Sequence, residues 1–106
     1  MKKPVIVRRK ADADIDRALA YHSTEAPQMV ARLIDALEAT LVSIGRSPGA
    51  GSARFAAPLE FPGLRHRVVR RFPYLVFYIE SIDTISILRV LHQRSDIPAG
   101  MLDDTP

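Results

Sequence analysis

The chain has 106 residues, 47% of them apolar and 25% charged, with a formal charge of +3 and no cysteine. That length suits one domain, residues 1–106, burying about two-thirds of its unfolded surface around one core. The composition excludes a disordered chain, and the missing cysteines exclude disulfides, thiolate metal sites and cysteine nucleophiles.

The opening MKKPVIVRRK carries two lysines before a short apolar run, far too short for the apolar core of a secretion signal. No stretch approaches the ~18 apolar residues of a membrane span. The expectation is a soluble protein of the cytoplasm, with no membrane partner. Pro4–Arg9 is β-branched and alternates weakly, which predicts a short first strand.

Asp12, Asp14 and Asp16 follow, suited to the positive end of a helix dipole. Ile15, Ala18, Leu19 and His22 then repeat at helical spacing, and this first helix should end near Glu25–Ala26, before Pro27. Pro27 fits the first turn of a second helix. Val30, Leu33, Ile34, Leu37, Leu41 and Ile44 form its apolar stripe, with Arg32, Asp35, Glu38 and Thr40 mostly on the other side. Gly45 is the expected stop, with Pro48 after it. So short a connection makes the two helices an antiparallel hairpin.

Gly45–Gly63 is a long connection rich in Gly, Pro and Ala, expected to include a short extended piece around Ala53–Leu59. It lacks the Gly-Lys-Ser/Thr ending of a phosphate-cradling loop and precedes a strand. Leu64–Arg71, Tyr74–Glu80 and Ile85–His92 read as three strands, turned at Pro73 and at Ser81–Thr84. The last two are apolar on both faces, as covered central strands are. The tail 99–106 should fray. The predicted fold is α+β in two layers: an N-terminal strand, an antiparallel helical hairpin, then a three-stranded antiparallel meander.

Basic residues cluster at 1–10 and 61–74, two segments without an acid. Such separation suits an anionic partner, nucleic acid or acidic protein, and equally describes a solvated basic face. Along the predicted strand, Arg65, Arg67 and Arg71 share one face, while Arg70 lies on the other with His66 and Val68. The three-arginine face should meet solvent or a partner. His22, His66 and His92 sit on separate elements without paired spacing, so no metal site is expected. Tyr74 and Tyr78 share a strand face and should pack in the core. Arg89, inside an apolar strand, needs a partner, with Glu80 or Asp83 across the hairpin as candidates. Asp96 should cap the chain's exit or bind Arg94.

FPGLRHRVVRRFPYLVFYIE (Phe61–Glu80), ISILRVLHQRSDIP (Ile85–Pro98) and APQMVARLIDALEATLVSIGRSP (Ala26–Pro48) resemble the RelE/ParE superfamily of bacterial type II toxins, and most of all its ParE-type, plasmid-stabilisation branch. The resemblance spans about Val5 to Pro98. It implies a toxin held inactive by a cognate antitoxin with an acidic C-terminal segment, without a cofactor. ParE-type relatives poison DNA gyrase, which needs affinity and no catalytic residue. RelE-type relatives cut mRNA on the ribosome. For that alternative the candidate groups are Arg65, Arg67, His92 and Arg94, with Tyr78 and Arg89 beside them. The segment before the arginine strand offers only Glu60 as an ionisable group in FAAPLEFPG, which disfavours the nuclease. A degenerate, inactive toxin is the third reading. Arg65, Arg67, Arg71 and Arg94 are the expected antitoxin- or target-binding set, and Arg89 and Asp96 are expected to be structural, each with its own partner. Without antitoxin, uncovered apolar surface could drive homodimerisation.

Overall fold

The computed structural model describes residues 3–95. Asp96 and the tail 99–106 lie outside the described residues. The order is β1 (Val5–Val7), α1 (Arg9–Glu25), α2 (Val30–Arg46), β2 (Arg65–Val68), β3 (Tyr74–Glu80) and β4 (Ile85–His92). One sheet runs β1-β4-β3-β2. β2, β3 and β4 form the expected antiparallel meander, and β1 returns parallel to β4, with Ile6 opposite Ser86. No helix among the described residues is long and apolar enough to cross a membrane.

The helical hairpin covers one sheet face. Ala11 and Ala18 of α1 and Leu33, Leu37 and Ile44 of α2 bury against Tyr74, Val76, Tyr78, Ile85, Ile87 and Val90. Tyr74 and Tyr78 are both core residues on this face, as expected from their spacing. Each fully buried aliphatic here contributes about 1.5–3 kcal/mol over its exposed state.

Several expectations need correction. Pro27 opens a separate 3₁₀ turn, Pro27–Met29, and α2 starts only at Val30. Thr40 is buried with the stripe, its hydroxyl donating back to the Ala36 carbonyl at 2.8 Å. Ile34 drifts outward, 39% exposed. Gly45 does not stop α2, which runs on to Arg46. A Cβ at Gly45 would lie 3.2 Å from Cγ2 of Val5, so glycine serves the close approach of α2 to β1. The helix ends where Pro48 opens a second 3₁₀ turn.

The segment 53–59 is not extended. It is a chain of turns closed by bonds such as Leu59 N–H to Phe55 C=O and Phe61 N–H to Ala56 C=O. It lays Phe55, Ala56, Leu59 and Phe61 over the second sheet face, against Leu64, Leu75, Phe77, Leu88 and Leu91. That cover is why β3 and β4 are apolar on both sides. β2 is also shorter than predicted. The chain leaves it after Val68 and turns back through a Val69 N–H to Tyr74 C=O bond, with Arg71 in the left-handed region at φ 68°.

Candidate functional site

Arg65 and Arg67 stand on the helix-covered face of β2, opposite Tyr78 and Val76 of β3. Neither projects freely into solvent. Arg65 donates to the Gly51 carbonyl at 2.7 Å, and Arg67 donates to the Ser43 hydroxyl on α2. Tyr78 donates to the Pro48 carbonyl at 2.5 Å. Burial pushes its phenol up, partly offset by its backbone hydrogen bond at Gly51 and by Arg67 and Arg65. These three side chains therefore tie the end of α2 and the following loop to the sheet.

Because β2 ends at Val68, its alternation never reaches the next two arginines. Arg70, expected on the opposite face, joins Arg67 and Arg71 in lining one groove of about 1040 Å³ between α2 and the β2–β3 turn. Arg32 and Asp35 of α2 line it too, with half-buried Met29, Ala36 and Phe72 as apolar surface. Four guanidiniums face one carboxylate there, so the groove is cationic with an amphipathic lining. Arg65 is not part of it.

The end of β4 forms a second place. His92 is half-buried, edge-on to Tyr74 with ring centres 5.6 Å apart. Its Nδ1 accepts the Arg94 N–H at 3.1 Å, while the Arg94 side chain is exposed. Arg89 does not pair with Glu80 or Asp83. It clamps Asp14 of α1, Nε to Oδ2 at 2.7 Å and Nη2 to Oδ1 at 2.9 Å. Asp14 also accepts the Val90 N–H at 2.9 Å. Glu80 instead meets Lys3 at 2.8 Å. The register shift between β3 and β4 leaves Leu88 as an extra residue beside Arg89, and such a bulge re-aims side chains. Asp14 is the residue that sequence reasoning misplaced, as one of three acids serving a helix dipole. Its signal was its phase: it lies three and four residues from Ala11 and Ala18, on the buried stripe.

The nuclease candidates fall into two groups, Arg65 and Arg67 on β2 and His92 with Arg94 at the end of β4. Arg67 lines the α2 groove, whereas His92 lines a separate cleft against α1, and the two share no lining residue. His22 packs its ring on Phe72 and Tyr74 between them. His66 is buried on the far sheet face, between Phe55 and Phe77, and its Nδ1 has no hydrogen-bond partner. Desolvation, and then the charge of Arg54, lower its pKa from the usual 6.5. Among the described residues no three His, Cys, Asp or Glu side chains gather to hold a metal ion.

The chain is thus an α+β domain with an arginine-lined groove between α2 and the β2–β3 turn. The family described as ParE toxin of the type II toxin–antitoxin system matches residues 5–97. The chain belongs to that family. Its fold is similar to that of a chain in the solved structure titled "Chromosomal ParDE TA system from P. aeruginosa", with a TM-score of 0.70. Identity is 21%, over 86% of this chain and 96% of that one, a likeness of fold. No curated protein matches.

Proposed function

We propose that this toxin acts in the cytoplasm on DNA gyrase, trapping it by binding rather than by chemistry, and that a cognate antitoxin silences it through an acidic, amphipathic segment. The observation that carries the antitoxin surface is the groove between α2 and the β2–β3 turn. Arg32, Arg67, Arg70 and Arg71 supply charge, and Met29 and Phe72 supply apolar contact. A segment that is acidic on one side and apolar on the other complements both. Arg71 and Arg67 carry over from the expected set, and Arg32 and Arg70 join them. Arg65 contributes by holding the groove's neighbouring loop, and the exposed Arg94 stands apart near the end of β4.

Non-catalytic action on gyrase is supported by the separation of Arg65 and Arg67 on β2 from His92 and Arg94 at the end of β4. Metal-free RNA cleavage needs them around one phosphate. The test adds the purified chain to a gyrase supercoiling reaction and, in parallel, to translating ribosomes with a reporter mRNA. Accumulated cleaved DNA with intact mRNA is expected. Site-specific mRNA cutting that vanishes in His92→Ala would replace this reading with the nuclease, and silence in both assays would leave an inactive toxin.

A further inference from the structure

The cover at residues 53–61 is held on the sheet differently from the helical hairpin. Its hydrogen bonds close within itself, as in Glu60 N–H to Ala57 C=O at 3.0 Å. Its tie to the sheet backbone lies just before it, where Ser52 and His66 exchange two bonds of 2.9 Å. Among the described residues, no side-chain hydrogen bond or ion pair joins 53–61 to a strand. Apolar contact therefore holds it, through Phe55, Ala56, Leu59 and Phe61. Its far end turns through two left-handed residues, Glu60 at φ 50° and Gly63 at φ 86°. A segment closed on itself and anchored by burial alone is a unit that opens locally, ahead of the whole fold.

One polar ring sits in the apolar seam between cover and sheet. His66 is 8% exposed, with the Phe55 ring of the cover 5.2 Å away and the Phe77 ring of β3 5.5 Å away. Its Nδ1 is buried without a hydrogen-bond partner. Such an orphan weakens the closed state, and a charge there weakens it further. The surroundings offer a proton no counter-charge. From the cover comes Arg54, whose guanidinium lies over Phe55, 4.7 Å from its centroid. Glu60, the cover's acid, is exposed and forms no ion pair among the described residues. β3 brings Phe77, and Arg65 and Arg67 of β2 stand on the other sheet face. Burial, and then Arg54, hold the imidazole pKa below its usual 6.5. When the cover lifts, the ring meets water and Arg54 leaves with Phe55, so both causes are relieved together.

We propose that residues 53–61 form a lid gated by protonation of His66, closed over the second sheet face in neutral solution and opened locally in acid. Opening uncovers Leu64, Leu75, Phe77, Leu88 and Leu91 while the helical hairpin stays in place. Because the closed state depresses the pKa, closure is fully favoured above 6.5 and is lost as pH falls below it. One proton shifts the balance by at most about tenfold per pH unit. No residue of 53–61 lines the α2 groove, so the gate is independent of the antitoxin reading.

The chain has no cysteine, so single introduced thiols report access. Leu75→Cys lies under the lid, and Val76→Cys, one residue on, faces the helices. Thiol-labelling rates of each full-length variant are divided by those of an unstructured cysteine peptide at the same pH. At pH 7.5 Leu75→Cys should label about tenfold or more faster than its own global unfolding allows, with little dependence on urea. Val76→Cys should label only through global unfolding, with the full urea slope. Lowering the pH to 5.5 should raise the normalised Leu75→Cys rate by about three- to tenfold. Adding His66→Phe should abolish that rise, and adding Arg54→Ala, at an exposed position, should shrink it. Labelling of Leu75→Cys that matches global unfolding at both pH values, or a rise that persists in His66→Phe, overturns the proposal.

Discussion

Asp14 and Arg89, 75 residues apart in the chain, form a two-point ion pair that fastens α1 to β4. The carboxylate is almost wholly buried and the guanidinium side chain is 14% exposed. Removing Arg89 leaves the buried Asp14 carboxylate with the largely exposed Arg17 as its remaining ion pair among the described residues. Arg89→Ala should therefore destabilise the fold by about 3 kcal/mol or more. Replacing both, as Asp14→Leu with Arg89→Met, should recover much of that loss. It will not recover all, because the Val90 N–H still loses its acceptor. Urea unfolding of the two single variants and the double variant measures the difference.

His66 makes stability depend on pH. Its folded pKa is depressed by burial and by Arg54, so the folded state prefers the neutral ring. The unfolded chain binds the proton more readily. The contribution is fully present above the unfolded value of 6.5 and is lost as pH falls below it. A cation would then sit between Phe55 and Phe77, under the 53–61 cover. Urea midpoints for the wild type should drop between about pH 7.5 and pH 5. In His66→Phe that drop should shrink, and an equal drop in both proteins would contradict the assignment.

Gly51 sits where no side chain fits. A Cβ there would lie 2.9 Å from Cζ of Tyr78 and 3.0 Å from the His66 carbonyl oxygen, in a ring that is fully buried. Tyr78 cannot swing aside without losing Pro48. Gly51→Ala should cost about 1–3 kcal/mol, as overpacking does. Thermal unfolding would show it, with Gly49→Ala, where a Cβ meets nothing within 4 Å, as the control.

Arg71 separates stability from partner binding. Its φ of 68° is strained for a residue with a side chain. Arg71→Gly should raise stability by about 1 kcal/mol while removing one charge from the groove proposed for the antitoxin. Arg32→Glu together with Arg70→Glu should leave stability nearly unchanged, since both are exposed. Antitoxin affinity should fall by about tenfold or more in the pair, mostly through slower association at low salt. Binding kinetics at two ionic strengths test this, and unchanged rates would place the antitoxin elsewhere.

Local pattern alone determined the helices, the strands Tyr74–Glu80 and Ile85–His92, and the turn at Ser81–Thr84, because apolar periodicity and turn residues act over a few positions. It also carried the family likeness, since the arginine strand and the end of β4 are contiguous motifs. Tertiary structure alone decided the rest. Arg89 found Asp14 rather than a neighbour across its hairpin. Thr40 was drawn into the core, and Gly45 answered to Val5. The turns at 53–59 became a lid over the second sheet face. Arg70 and Arg67 came together because β2 ended early and strand alternation ended with it. Each of these outcomes depends on a surface built from residues far away in the chain. Burial and charge pairing act through space, and no local spacing encodes which distant side chain arrives.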